Sequence, residues 1–82
     1  MMNLGERIRI ARAVRGVHQK DVAAALGKSR ATISMWESGT NEPSLQQIDD
    51  LSSYLGVSSV WMTHGEGQPP ALSTPITQGD TL

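Results

Sequence analysis

Residues 19–39 read QKDVAAALGKSRATISMWESG, and the fold depends on how that stretch divides. Val22, Ala23 and Leu26 share one side of a helix that runs from about Gln19 and stops at Gly27. Ile33 and Trp36 share one side of a second helix, which begins after Ser29, a favourable N-cap, and ends near Gly39. Between the two helices stand only Gly27, Lys28 and at most Ser29. A chain reverses in so few residues when one of them takes a positive φ, which glycine does at little steric cost. Ala23 is small enough to let crossing helices approach, and Val22, Leu26, Ile33 and Trp36 make their shared apolar seam.

Upstream, Leu4, Ile8 and Ala11 recur on one stripe of a helix from about Asn3 to Arg15, ended by Gly16. Downstream, Ser44 and Gln47 have the S-x-x-Q spacing of a capping box, just after Pro43. Leu45, Ile48, Leu51 and Leu55 then recur at spacings of three and four, with Tyr54 on the outer side and Gly56 as the stop. A short fifth helix is expected from about Ser59 to His64, capped by Ser58 and ended by Gly65. Trp36 and Trp61 both fall on inward phases and read as core. Strand signals are nearly absent: the chain has no phenylalanine, one tyrosine and no sustained apolar–polar alternation. The expectation is an all-α, compact five-helix domain over residues 1–65. From residue 66 onward the chain is rich in Pro, Gly, Ser and Thr, and 66–82 reads as a flexible tail or linker.

The charge is unevenly placed. All seven basic residues (Arg7, Arg9, Arg12, Arg15, Lys20, Lys28, Arg30) lie in the first thirty positions against only Glu6 and Asp21, which makes that segment +5. Residues 31–82 hold the other six acids and no base, or −6, so a net charge of −1 conceals one basic and one acidic half. With no cysteine there is neither a disulfide framework nor a thiolate zinc site. His64 has no partner at metal-ligand spacing, and no metal or cofactor is expected. No Ser–His–Asp or Cys–His set and no phosphate-cradling glycine loop can be assembled. Asp49 and Asp50 are consecutive on a helix and point apart, so an enzyme is not expected. The apolar runs are far too short to cross a bilayer. The opening MMNLGERIRIARAV interleaves charge with apolar residues, unlike a secretory signal, so the cytoplasm is the expected location.

Helices two and three have the spacing of a helix-turn-helix, whose second helix enters the major groove of DNA. Residues 19–39 also resemble the helix-turn-helix of the Cro and phage-repressor (XRE-type) DNA-binding family. The likeness extends outward: LGERIRIARAVRGVHQ is similar to that family's first helix and following turn. NEPSLQQIDDLSSYLGVSSVWMTHG is similar to its fourth and fifth helices, and about 60 of the 82 residues are covered. The resemblance implies a five-helix domain that binds near-palindromic operator DNA as a homodimer, one that need not persist without DNA.

Site residues follow from helical phase and from that resemblance. With Ile33 and Trp36 inward, Arg30, Ala31, Ser34 and Met35 face outward near the start of the third helix. Arg30 is the leading base reader, since its guanidinium can pair with guanine O6 and N7; a plain phosphate contact is the competing role. Ala31 suits a thymine methyl, and Ser29 has compatible roles as cap and DNA contact. Met35 stands where relatives often carry a polar base reader. Gln19 matches the family's phosphate-gripping glutamine at a helix N-terminus, with Lys28, Ser38, Thr40 and Asn41 as further phosphate contacts. His18 replaces the usual Ser, Thr or Asn cap and is either a substitute phosphate contact or a weaker cap. Glu42 stands where several relatives carry a base, which should flatten the salt dependence of binding. The family pattern also implies a structural salt bridge between Arg12 and Glu37, and a dimer contact among Val57, Ser58, Ser59, Val60 and Met62. The alternative from another class is an antitoxin or co-regulator module whose main partner is a protein, bound through the tail.

Overall fold

The computed structural model describes residues 2–67 and 69–70. Five helices follow one another: α1 (Leu4–Arg15), α2 (Gln19–Leu26), α3 (Arg30–Ser38), α4 (Leu45–Leu55) and α5 (Ser59–His64). Among the described residues there is no strand. Most of the expected segment 66–82 lies outside the described residues.

Short polar residues set the helix starts. Asn3 is the cap of α1 rather than its first residue: its Oδ1 accepts from the Glu6 amide at 2.9 Å, and Glu6 Oε1 accepts from the Asn3 amide at 3.0 Å. Ser44 and Gln47 make the same reciprocal pair at α4, and Ser29 and Ser58 cap α3 and α5. At α2 the exchange is one-sided: the Asp21 carboxylate accepts from the His18 amide at 2.9 Å, but the imidazole makes no capping bond. The turn between α2 and α3 uses Gly27 at φ +68°, in the left-handed region that a side chain makes costly.

The core is built from Ile8 and Ala11 of α1, Val22 and Ala23 of α2, Ile33 and Trp36 of α3, Ile48, Leu51 and Leu55 of α4, and Trp61 and Met62 of α5. Every helix contributes, so none is stable without its neighbours' apolar faces. Four placements differ from the sequence expectation. Leu45 is 77% exposed. It is the first residue of α4, and helical side chains lean toward the N-terminus, which carries this one past the end of the packed interface. Tyr54 is half-buried and packed on the core, since its long ring reaches back beside Leu26. Ser52 takes the inward position that the leucine stripe left undescribed, and its buried hydroxyl has no hydrogen-bond partner. Met62 has 0% exposure.

Two α1 residues join elements far apart in sequence. Gly5 is buried against the last turn of α3, where a Cβ would lie 2.3 Å from the Glu37 carbonyl oxygen and 2.7 Å from that of Trp36. Arg7 is buried too. Its Nε donates to the Met62 carbonyl at 2.8 Å, Nη2 to the Thr63 carbonyl at 2.9 Å and Nη1 to the Met2 carbonyl at 2.6 Å. Carbonyls near a helix C-terminus have no partner within the helix, and the guanidinium satisfies two of them while placing its positive charge at the negative end of α5.

Candidate nucleic-acid interface

Three helices meet around one carboxylate. Glu37, in the last turn of α3, receives Arg12 Nε on Oε2 at 2.7 Å and Arg12 Nη2 on Oε1 at 3.0 Å, a forked contact between α3 and α1. Its Oε1 also accepts from Gln19 Nε2 of α2 at 3.1 Å. Arg12 Nη1 donates to the Val17 carbonyl at 3.2 Å, which ties down the loop between α1 and α2. The Glu37 side chain is 6% exposed and that of Arg12 17%. Hydrogen bonding to Glu37 holds the Arg12 guanidinium charged above its ordinary range, against the opposing effect of burial. A base whose folded value is raised contributes stability at every pH below its unfolded value, so this contribution disappears only in strong alkali.

The Arg12–Glu37 pair, with Gln19 bonded to the same carboxylate, fixes the start of α2 against the last turn of α3. Arg12, His18, Gln19, Lys20 and Arg30 line an open concavity at the surface. Lys20 was missed by sequence reasoning; its place one residue into α2 beside Gln19 was the available signal. Gln19 is not a loose surface amide, because Glu37 orients it. Lys28 is exposed in the turn.

On α3, Arg30, Ala31 and Ser34 are exposed, opposite the buried Ile33 and Trp36. Ser29 Oγ accepts from the Thr32 amide at 3.2 Å and lies 3.0 Å from the Thr32 hydroxyl, so its capping role is occupied in this structure. Met35 is half-buried rather than fully outward. The loop after α3 folds back over it: the Thr40 and Asn41 amides donate to the Met35 carbonyl at 3.0 and 3.3 Å. Asn41 Nδ2 lies 3.4 Å from Met35 Sδ. Ser38 and Thr40 join their hydroxyls at 2.9 Å. The structure therefore brings His18, Gln19, Lys20 and Arg30 to one concavity, leaves Lys28 and Ser29 in the α2–α3 turn, and sets Ser38, Thr40 and Asn41 at the far end of α3.

The residues named for a dimer surface do not all share a face. Met62 is fully buried among the core side chains and is withdrawn from that surface, because a side chain with 0% exposure has no area to offer a partner. It occupies the inward phase next to Trp61. Val57 is half-buried on the core, while Ser58, Ser59 and Val60 are exposed, Val60 by 51%. Among the described residues no group of three or more His, Cys, Asp or Glu comes together to hold a metal ion. No helix there is long and apolar enough to cross a membrane.

Five helices, a three-residue turn between the second and third, and a third helix with a polar outer face define a helix-turn-helix domain. The helix-turn-helix family profile matches residues 8–62, and the chain belongs to that family, the XRE-type group that its sequence resembles. It is 39% identical over 67 residues to the HTH-type transcriptional regulator PrtR of Pseudomonas aeruginosa, covering 82% of this chain and 26% of that protein. It is 35% identical over 78 residues to the HTH-type transcriptional regulator DicA of Escherichia coli, covering 92% of this chain and 58% of DicA. The chain thus spans about a quarter of the first relative and somewhat over half of the second. Its fold is similar to that of the P22 c2 repressor protein solved in complex with a synthetic operator. The TM-score is 0.75 at 30% identity, over 80% of this chain and all of that one.

Proposed function

We propose that this chain is a sequence-specific DNA-binding transcriptional regulator of the repressor type, reading a near-palindromic operator as a homodimer with α3 in the major groove. The observation that carries the reading is the two-sidedness of α3. Ile33 and Trp36 lock one side into the core, and Arg30, Ala31 and Ser34 stand exposed on the other. A helix held rigidly from behind with short and bidentate-capable side chains in front suits base readout. In this reading His18, Gln19 and Lys20, at the concavity they share with Arg30, take backbone phosphate, with Lys28, Ser38, Thr40 and Asn41 extending the contact, while Arg30 reaches the base edges. Arg12 and Glu37 act structurally, by aiming Gln19. Ser58, Ser59 and Val60, with the exposed part of Val57, are the candidate dimer contacts. Support also comes from the relatives, named as transcriptional regulators, and from the operator-bound state of the P22 c2 repressor. The protein is not proposed to be an enzyme. Residues 66–82 serve as a tail or linker in this account.

Selection of bound sites from random duplex DNA, with Arg30→Ala alongside, tests the reading. The native chain is expected to enrich a two-fold symmetric site with guanine at one symmetric position. Arg30→Ala should relax that position alone, by about 1–3 kcal/mol of discrimination. A uniform loss across all sequences would make Arg30 a phosphate contact, and no enrichment by the native chain would contradict operator binding and favour a protein partner.

A further inference from the structure

We propose that Met35 reads the 5-methyl group of a thymine in the operator, with Asn41 holding the thioether in place to do so. This rests on the DNA-binding reading above and names the chemistry of one position within it. A methionine on a recognition helix is ordinarily a poor discriminator, since its three rotatable bonds let it adapt to whatever it meets. Here the side chain is restrained. Asn41 Nδ2 lies 3.4 Å from the sulfur, and the Thr40 and Asn41 amides both donate to the Met35 carbonyl. The loop after α3, itself exposed, is bonded to a methionine that is half-buried from behind.

What that unit presents to a groove is apolar. The thioether is at most a weak acceptor, and the methyl is none. Ala31, exposed and one turn earlier, continues the same apolar stripe, because residues four apart on a helix are neighbours. A guanine or adenine N7, or a cytosine amino group, placed against the stripe would lose water and gain no partner. The thymine methyl is the one apolar feature of the unmodified major groove, so a T·A pair loses least there and buries a methyl group besides. The amide of Asn41 thereby serves specificity through Met35 as a positioning residue, rather than through a phosphate alone.

The test uses the site recovered by selection, with each thymine replaced singly by deoxyuridine, which removes only the methyl. One symmetric pair of replacements should weaken binding of the native chain about four-fold each. The same replacements should cost Met35→Ala almost nothing, while Met35→Leu, which keeps the apolar bulk, retains the penalty. Asn41→Ala, which also gives up a phosphate contact, should bind every site more weakly than the native chain does, but its penalty for the uridine replacement should shrink relative to its own binding of the thymine site. A second thymine pair, insensitive to Met35, would be the signature of Ala31. Equal affinity of the native chain for every substituted site overturns the proposal, as does a penalty undiminished in Met35→Ala. Failure of the native chain to bind any duplex overturns the DNA-binding reading itself, and this inference with it.

Discussion

Gly5→Ala is expected to lower the melting temperature by about 8–16 °C. Two effects of opposite sign meet at this position. Within α1 alone, alanine is favoured over glycine by roughly 1 kcal/mol, which would stabilise the domain. Against that, the new Cβ would lie 2.3, 2.7 and 2.8 Å from the Glu37 oxygen, the Trp36 oxygen and the Glu37 carbonyl carbon. All three atoms are backbone in the last turn of α3, so no side-chain rotation relieves the overlap. Either α1 lifts off α3 and loosens Ile8 and Ala11 from Ile33 and Trp36, or the last turn of α3 breaks. Overpacking costs about 1–3 kcal/mol, more where the surroundings cannot yield, and here the upper end applies. For a domain of this size each kcal/mol is worth roughly 4–8 °C. Thermal unfolding followed by circular dichroism decides: an unchanged or higher melting temperature would show that helix propensity prevails and that α1 and α3 are not in backbone contact.

Glu37→Ala should destabilise the fold by about 3–5 kcal/mol, the usual result of removing one member of a buried pair. The variant leaves the Arg12 guanidinium without its carboxylate in a site only 17% exposed, and it releases Gln19. Glu37→Gln should cost less, because an amide oxygen can still accept one of the Arg12 hydrogen bonds. A double replacement of Arg12 and Glu37 by methionine should recover part of the loss, since an apolar pair carries no desolvation cost. The same substitutions separate stability from function: Glu37→Gln, still folded, should bind DNA more weakly if Gln19 needs its anchor. A Glu37→Ala melting temperature equal to that of the native chain would mean that the ion pair contributes nothing net.

The parts of the fold legible in the sequence were those with local causes. Ser29, Ser44 and Ser58 mark helix starts because each satisfies an amide three residues on; Asn3 does the same at α1, where the sequence expectation made it the first helical residue. Gly27 marks the turn because a three-residue reversal uses a left-handed φ. The parts not legible depend on contacts between distant segments. Nothing near Gly5 signals that Glu37 lies against it. Arg7 looked like one more surface cation until the carbonyls of Met62 and Thr63 came to meet it. Leu45 and Met62 were misplaced for the same reason: helical phase says which side a residue faces but not where the neighbouring helix ends. Leu45 overshoots α4's interface, and Met62 lies deeper than a surface stripe would put it.

The charge asymmetry shows how an observation can be right and its interpretation incomplete. The first thirty residues do carry all seven bases, but α1 spends two of its four arginines on the protein itself. Arg7 caps α5 and Arg12 pairs with Glu37, while the guanidinium of a third, Arg15, reaches toward Gly56 at the end of α4. The cations left at the candidate interface are Lys20 and Arg30, which share one concavity, and Lys28 in the α2–α3 turn. The local field there is set by fewer charges than the segment total of +5 suggests, which agrees with a surface that relies on geometry more than on bulk attraction.

The central claim is that the face built from the start of α2, the outer side of α3 and the loop through Asn41 is the surface that meets DNA. Titration of the isotopically labelled protein with a selected duplex, followed through its backbone amide resonances, tests this directly. The account predicts that the largest changes fall on Gln19, Lys20, Lys28 to Ala31, Ser34, Met35 and Ser38 to Asn41, and that Asp49, Asp50 and Ser53 on the outer side of α4 stay still. Changes centred on α4, with α3 silent, would contradict it.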